Sequence, residues 1–146
     1  MKNIAVFGST GSIGRQTLSV CSAHREEFCA KALVFGSNAD LGAEQIRSFD
    51  PDVIGVFDEA AASRIRDEFP GKQIVSGSSV WELACLDCID TVVNGVSGFN
   101  GTFPLINGLR SGKDVALANK ESVVCAGSLV REARKLGGGR ILPVDS

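Results

Sequence analysis

The sequence lacks long apolar runs and an excess of positive charge. Its 146 residues carry a formal net charge of −2, and no more than two basic residues are adjacent, whereas a nucleic-acid-binding surface needs clustered positive charge. No apolar stretch approaches the ~20 residues of a membrane span. The N-terminus reads as a strand and not as a secretion signal, so we expect no cleaved leader. These features favour a globular protein that binds neither nucleic acid nor membrane.

Histidine is also scarce, and the cysteines form no recognisable ligand set. The single histidine, His24, falls at the end of a predicted helix, where imidazole usually interacts with the helix dipole. Cys85 and Cys88 have the C-x-x-C spacing, but no second pair of metal ligands accompanies them. An odd number of cysteines favours reduced thiols, and we expect buried structural cysteines. The five are Cys21, Cys29, Cys85, Cys88 and Cys125.

The most informative segment contains Gly8, Gly11 and Gly14, spaced three apart. An apolar run, Ile4–Phe7, precedes it and an amphipathic stretch, Ile13–Cys21, follows it. A strand that turns through glycines into a helix N-terminus forms a phosphate cradle, because the glycines clear space at the backbone and the helix presents unpaired N–H groups. The spacing is G-x-x-G-x-x-G instead of the usual G-x-G-x-x-G. A tight turn without a ligand is the alternative.

Strands and helices alternate along the whole chain. The predicted strands are Lys2–Phe7, Cys29–Phe35, Val53–Phe57, Gln73–Val75, Thr91–Asn94, Asp114–Ala118 and Arg140–Val144. The predicted helices are Ile13–Ala23, Ala39–Phe49, Ala60–Phe69, Val80–Leu86, Phe103–Arg110 and Ser122–Leu136. This alternation predicts a single α/β domain over residues 1–146, a Rossmann-like doubly wound fold with a mainly parallel sheet and helices on both faces.

Three Asn-Gly pairs resemble hairpin turns, which such a fold has no room for. We assign Asn94-Gly95 and Asn100-Gly101 to a glycine-rich loop, and Asn107-Gly108 to the inside of a helix or to a position near its end. Gly137–Gly139 should end the last helix. Asp145 and Ser146 follow the last strand, at the edge of the sheet where ligands bind. We therefore expect a piece of a longer enzyme.

The end of the second strand indicates which coenzyme binds. NAD sites usually place an acidic residue there for the ribose 2′-hydroxyl, but this chain has Gly36, Ser37 and Asn38. Serine and asparagine can donate hydrogen bonds to a 2′-phosphate, which a carboxylate would repel. Asp40 should lie in the first turn of the next helix, where acidic residues are favourable. The pattern favours NADPH over NADH.

A second candidate site follows the strand Asp114–Ala118. Asn119 suits a helix N-cap, and Glu121 suits the positive end of the helix dipole. Lys120 does not, because a cation in the first turn costs roughly 0.3–1 kcal/mol. A lysine at the carboxyl end of a strand could instead meet a substrate oxygen, although an exposed lysine without a role is the alternative.

Four segments together resemble the NADPH-binding domain of the 1-deoxy-D-xylulose 5-phosphate reductoisomerase family. They are Gly8–Gly14, Gly36–Asn38, Ala118–Ser122 and Leu142–Ser146. The resemblance covers the whole chain and about the first third of such an enzyme. It implies NADPH-dependent conversion of 1-deoxy-D-xylulose 5-phosphate, a sugar phosphate, into 2-C-methyl-D-erythritol 4-phosphate in non-mevalonate isoprenoid biosynthesis. It also implies a homodimer in the bacterial cytoplasm or plastid stroma.

The resemblance also implies residue roles. Thr10, Gly11, Ser12 and Ile13 would bind the coenzyme phosphates, with Gly36, Ser37 and Asn38 around the 2′-phosphate. Asn119 and Glu121 would contact the coenzyme, and Lys120 and Ser146 the substrate. Asp145 would bind Mg²⁺ or Mn²⁺, whose remaining ligands follow in the longer enzyme, so the chain alone should bind NADPH without turnover. The family often has a basic residue at the position of Ser37, for which Arg15 or Lys31 are candidate replacements.

Two alternatives stay open from the residues. An NADP-dependent dehydrogenase of the aspartate-semialdehyde dehydrogenase type needs a catalytic cysteine, for which Cys125 is the nearest candidate, but no histidine lies near it in sequence. The second alternative is a module that senses a dinucleotide and catalyses no reaction. The position of Asp145 and Ser146 after the last strand, where a ligand pocket would begin, argues against this alternative.

Overall fold

The computed structural model of the protein describes residues 1–117 and 127–143. The strands are β1 (Lys2–Phe7), β2 (Phe28–Phe35), β3 (Val53–Val56), β4 (Gln73–Ser76), β5 (Thr91–Asn94), β6 (Asp114–Leu117) and β7 (Ile141–Pro143). The helices are α1 (Ser12–Ala23), α2 (Ala39–Phe49), α3 (Glu59–Glu68), α4 (Thr102–Arg110) and α5 (Gly127–Gly137). Two 3-10 helices cover Gly77–Cys85 and Phe99–Gly101.

The strands of the described residues form one sheet in the order β4-β3-β2-β1-β5-β6-β7, and every neighbouring pair is parallel. The chain moves outward from β1 to β4 and then returns to the other side of β1. The strand order therefore reverses between β1 and β5, which makes their carboxyl ends the topological switch point where open α/β sheets bind ligands. The predicted doubly wound fold is confirmed.

Successive residues of the central strands face opposite layers, as the two-residue period of a strand requires. In β1, Ile4 and Val6 pack with Leu18 of α1, whereas Ala5 and Phe7 pack in a different cluster with the 3-10 helix Gly77–Cys85, α4 and α5. Helices α2 and α3 cover β2 and β3 on the α1 side of the sheet. Both faces of the inner strands are covered, which explains the nearly continuous apolar sequences of β1, β2 and β3.

Most element boundaries agree with the sequence prediction within one or two residues, and those of β1, α2 and β5 are identical. Asn107-Gly108 lies inside α4, as predicted. Asn100-Gly101 instead belongs to the 3-10 helix Phe99–Gly101. Gly138 follows α5 with φ = +77°, and its N–H donates to the Arg134 carbonyl at 2.8 Å, which is the expected glycine termination.

The prediction of buried cysteines is wrong for the C-x-x-C pair. Cys21 is buried and Cys29 is half-buried, but Cys85 and Cys88 are exposed free thiols. The buried positions of this 3-10 helix are Val80, Trp81, Leu83 and Ala84, which leaves Cys85 on the outer side. Its Sγ lies 3.7 Å from the Asn107 carbonyl oxygen. Cys125 lies outside the described residues. No helix within residues 1–117 and 127–143 is long and apolar enough to cross a membrane.

Candidate dinucleotide-binding site

The predicted phosphate cradle lies between β1 and α1. After Phe7 the chain turns at Gly8, whose φ is +78°. The N–H groups of Gly8 and Ser9 donate to the Val34 carbonyl of β2 at 2.8 and 3.0 Å. The turn closes when Gly11 donates to the Gly8 carbonyl at 3.0 Å. These backbone hydrogen bonds hold the loop at the carboxyl ends of β1 and β2.

The start of α1 is open to an anion. Gly11 is its N-cap residue and provides no side-chain cap, and the first turn contains no acidic residue. Within the described parts of the chain, the N–H groups of Ser12 and Ile13 have no hydrogen-bond partner. Unpaired donors at the positive end of a helix are the elements of a phosphate site.

The three glycines of the cradle have different reasons to lack a side chain. Gly8 needs its positive φ, and a Cβ there would lie 2.9 Å from the Gly95 backbone. A Cβ at Gly14 would lie 2.1 Å from the Gly8 carbonyl oxygen, so Gly14 lets α1 approach the turn. A Cβ at Gly11 would meet only the Gly8 oxygen, at 3.4 Å. The described fold thus accepts a side chain at Gly11, whose bare Cα lines the cleft described below.

A buried glutamine that the sequence analysis missed supports the cradle. Gln45 of α2 is 7% exposed, and its Nε2 donates to the Ser9 carbonyl at 2.8 Å. Ser9 itself is fully buried. The bond ties the phosphate loop to the helix that follows β2. A polar residue on the inner face of α2, beside Ile46, was the available signal.

Gly36, Ser37 and Asn38 follow β2 directly and are exposed, and Gly36 lies across the cleft from the cradle. Asn38 is the N-cap of α2, where its Oδ1 accepts the Leu41 N–H at 3.2 Å. The side-chain Nδ2 group of Asn38 can therefore still donate a hydrogen bond to a ligand. Asp40 lies in the first turn of α2, as predicted, and its Oδ1 is 2.6 Å from Nη2 of Arg64.

The loop after β5 forms the opposite wall of the switch point. Gly95 donates to the Phe7 carbonyl at 2.8 Å, which fixes the loop against β1. Asn94 is fully buried: its Nδ2 donates to the Gly101 carbonyl at 2.7 Å, and its Oδ1 accepts the Val96 N–H at 3.2 Å. One side chain thus spans the base of the loop that leads to α4.

A cleft of about 280 Å³ opens between these segments. Its lining consists of Gly8, Thr10, Gly11, Val34, Phe35, Gly36, Phe57, Trp81, Gly95, Val96, Ser97 and Asn100. It joins the cradle to the ends of β2 and β3 and to the loop after β5. Such a concave site with few polar groups is typical of cofactor binding.

An aromatic cluster supports the apolar side of the cleft. The Trp81 ring stacks on Phe7 and Phe103 at centroid distances of 6.3 and 5.7 Å, and it meets Phe57 at 5.5 Å. Phe103 also contacts the exposed Phe99 edge-on at 5.9 Å. Trp81 is 9% exposed and lines the cleft, so it can report a bound ligand.

The described part of the cleft contains binding groups but no acid–base or metal centre. The described residues that line it include no Asp, Glu, His, Cys, Lys or Arg side chain. No group of three or more His, Cys, Asp or Glu residues that could hold a metal occurs within residues 1–117 and 127–143. The predicted site residues Asn119, Lys120, Glu121, Asp145 and Ser146 lie outside the described residues.

The prediction that Lys31 replaces the basic residue that the family often has at the position of Ser37 is wrong. Lys31 lies in the first half of β2, about 16 Å along the strand from Gly36. Its Nζ donates to Asp52 Oδ2 at 3.2 Å, and this hydrogen bond raises the pKa of the lysine. Arg15 lies in the first turns of α1, with Nε 3.4 Å from the Gly11 carbonyl, and it stays a candidate.

The sequence is similar to a known family over most of its length. The family model described as 1-deoxy-D-xylulose 5-phosphate reductoisomerase matches residues 4–127. The chain is 42% identical to the protein of that name from Thermomicrobium roseum, over 98% of this chain and 36% of the relative. It is also 42% identical to the Chlamydia felis protein, over 100% of this chain and 39% of the relative. The chain thus spans little more than a third of these relatives.

The fold is similar to solved structures of the same family. A crystal structure of DOX-P reductoisomerase in complex with NADPH, fosmidomycin and magnesium matches with a TM-score of 0.94 and 32% identity, over 100% of this chain and 37% of that one. The Zymomonas mobilis enzyme in complex with NADPH matches with a TM-score of 0.91 and 28% identity, over 99% and 39%. A homoserine dehydrogenase from Archaeoglobus fulgidus at 19% identity, with a TM-score of 0.62, shares the fold alone. The family match and these structures show that the chain belongs to the 1-deoxy-D-xylulose 5-phosphate reductoisomerase family.

Proposed function

We propose that this chain is the NADPH-binding part of an enzyme that converts 1-deoxy-D-xylulose 5-phosphate into 2-C-methyl-D-erythritol 4-phosphate. The observation that carries the proposal is the bare Cα of Gly11, where the fold would accept a side chain. It lies at the open N-terminus of α1 and lines the cleft at the switch point. Family membership and the NADPH complexes of related structures support the same coenzyme.

In this proposal the chain binds and orients the coenzyme, which supplies the hydride when it is bound. The N–H groups of Ser12 and Ile13 hold its diphosphate, with Gly11 beneath. Gly36, Ser37 and Asn38 hold the adenosine ribose and its 2′-phosphate. The aromatic cluster of Phe7, Trp81, Phe57 and Phe103 keeps water from the apolar side of the cleft.

The remaining roles are proposals that rest on the family. Asn119 and Glu121 contact the coenzyme, Lys120 and Ser146 contact the sugar-phosphate substrate, and Asp145 is a ligand of Mg²⁺ or Mn²⁺. Carboxylate oxygens suit these cations. Because the relatives are more than twice as long as this chain, we assign the other metal ligands and the homodimer contacts to the part that this chain does not include. The reaction belongs to isoprenoid synthesis in a bacterial cytoplasm or a plastid.

A fluorescence titration tests coenzyme binding. The chain has one tryptophan and no tyrosine, so its ultraviolet-excited emission reports on Trp81. NADPH should quench this emission with saturation, and NADH should bind at least about tenfold more weakly because it lacks the charge-assisted bonds of a 2′-phosphate. Equal affinity would contradict the assignment of NADPH, and the absence of any saturable change with either would contradict the site.

An activity assay tests whether the chain alone binds the coenzyme without catalysing the reaction. The chain alone, incubated with NADPH, Mg²⁺ and 1-deoxy-D-xylulose 5-phosphate, should oxidise no NADPH beyond the rate without substrate. Substrate-dependent oxidation would show that the machinery assigned to the rest of the protein is already present, and would overturn this part of the proposal.

A further inference from the structure

An exposed carboxylate, Asp40, lies close in sequence to the residues that we assign to the 2′-phosphate. Asp40 is two residues beyond Asn38, in the first turn of the helix that begins at the exposed end of β2. A carboxylate near this strand end normally selects NADH, because it accepts the ribose 2′-hydroxyl and repels a phosphate. Taken alone, Asp40 argues against NADPH.

Arg64 of α3 neutralises this carboxylate. Its Nη2 lies 2.6 Å from Asp40 Oδ1, and the two side chains are 51% and 84% exposed. The N-cap residue of α3, Asp58, is fixed to the segment after β2, because its N–H donates to the Gly36 carbonyl at 3.1 Å. The ion pair brings the guanidinium to Asp40, two residues beyond Asn38, which we assign to the adenosine ribose.

The other arginines of α2 and α3 are engaged elsewhere. Arg47, in the last turn of α2, pairs with Glu68 at 2.7 Å. Arg66 donates to Ser76 Oγ at 2.9 Å. In these two helices, which the structure describes completely, Arg64 is thus the cation that lies next to the first turn of α2. Arginine has five N–H donors in a planar fork, and its contact with a single Asp40 oxygen leaves donors for a phosphate.

We propose that Arg64 is a specificity-determining residue for the coenzyme. It cancels the charge of Asp40 and donates its remaining N–H groups to the 2′-phosphate, so that this cleft prefers NADPH although position 37 is a serine. This inference rests on the proposed function, since it assigns the charge that recognises the 2′-phosphate in the same cleft.

The test compares Arg64→Gln with wild type by Trp81 titration with NADPH and NADH. Arg64→Gln should weaken NADPH by about tenfold, the typical effect of losing one charge-assisted bond, and should change NADH by less than twofold. Arg64→Lys should keep most of the preference, because the charge remains. Asp40→Asn in the Arg64→Gln background should recover part of it, because the repulsion is removed. The matched control, Arg66→Gln, should behave like wild type.

Adenosine 2′,5′-bisphosphate and AMP, used as competitors, place the effect on the 2′-phosphate. Arg64→Gln should weaken the bisphosphate only. An unchanged NADPH-to-NADH ratio in Arg64→Gln, with normal NADPH binding by wild type, overturns the role of Arg64 and leaves the proposed function intact. Parallel losses for both coenzymes overturn it as well, since they indicate a general change in the cleft. Failure of wild type to bind NADPH overturns both proposals.

Discussion

The carbonyl oxygen of Gly8 accepts the N–H of Gly11 at 3.0 Å, and it would lie 3.4 Å from a Cβ atom placed on Gly11. The turn is therefore closed by a backbone hydrogen bond, and it still leaves room for a side chain at Gly11. Gly11 has φ = −83° and ψ = −179°, an extended conformation that β-branched residues adopt readily. Nothing in the fold of the described residues requires glycine here, whereas the proposed diphosphate site would.

Gly11→Val should therefore abolish NADPH binding without unfolding the protein. The added methyl groups occupy the space assigned to the diphosphate, whereas the backbone keeps its conformation. Fluorescence titration should show no saturable quenching, and the melting temperature should stay within a few degrees of wild type. Normal binding by this variant would mean that the diphosphate lies elsewhere.

Gly14→Ala should have the opposite signature. Its Cβ would lie 2.1 Å from the Gly8 carbonyl oxygen, so α1 must move away from β1. We expect a loss of about 2–3 kcal/mol in the free energy of unfolding, the upper part of the range for overpacking, measured by urea denaturation. Gly71→Ala is the control, because nothing lies within 4 Å of a Cβ there. Equal stability of the two variants would contradict this packing role.

Gln45→Leu should loosen the phosphate loop. The change removes the 2.8 Å bond to the Ser9 carbonyl and leaves that buried acceptor unsatisfied, at a cost of about 1–3 kcal/mol. We expect weaker NADPH binding together with a lower free energy of unfolding, measured by titration and by urea denaturation. Gln16→Leu, on the exposed side of α1, controls for the loss of an amide. Unchanged NADPH affinity in Gln45→Leu would show that the bond does not position the cradle.

The ion pair between β6 and the start of β7 predicts a pH dependence. The Arg140 guanidinium, with Nε and Nη2 at 3.1 and 2.9 Å from the Asp114 carboxylate, lowers the pKa of Asp114 below its ordinary value of 3.8. A lowered pKa in the folded state gives stability that is complete above the unfolded pKa and is lost as the pH falls through the folded one. The stability difference between wild type and Asp114→Asn should therefore be largest near pH 7 and shrink below pH 4. Urea denaturation at both pH values measures it, with Asp87→Asn as a surface control, and a constant difference would contradict the pairing.

The cysteines should differ in reactivity. Cys85 and Cys88 are exposed, whereas Cys21 is 2% exposed and burial raises the pKa of its thiol. Iodoacetamide at pH 8 should alkylate Cys85 and Cys88 first, because it reacts with accessible thiolates. Peptide mass spectrometry gives the order, and labelling in denaturant provides the reference in which the three react alike. Early alkylation of Cys21 in the folded protein would contradict its burial.

The fold was predictable because its signals are local. An apolar run that enters glycines fixed β1 and the start of α1, and Pro51 separated α2 from β3. The glycine spacing and the residue after β2 also identified positions that line one cleft, Gly8, Gly11 and Gly36. These features depend on neighbours in sequence, which periodicity and turn chemistry describe well.

The supporting contacts were not predictable, because they join distant positions. Gln45 reaches Ser9 across 36 residues, and Arg64 meets Asp40 from a different helix. No local pattern specifies which polar side chains will meet after α2 and α3 dock on the sheet. The error at Cys85 has a related cause: its apolar neighbours suggested burial, but the face of the 3-10 helix decided exposure. Tertiary packing decides which charged side chains pair and which side of a helix is exposed, and composition does not.

The structure of the chain in complex with NADPH tests the central claim most directly. The account predicts that the diphosphate lies on the N–H groups of Ser12 and Ile13, with one oxygen over the Cα of Gly11. A diphosphate bound at another place on the molecule, with the start of α1 facing only solvent, would contradict it.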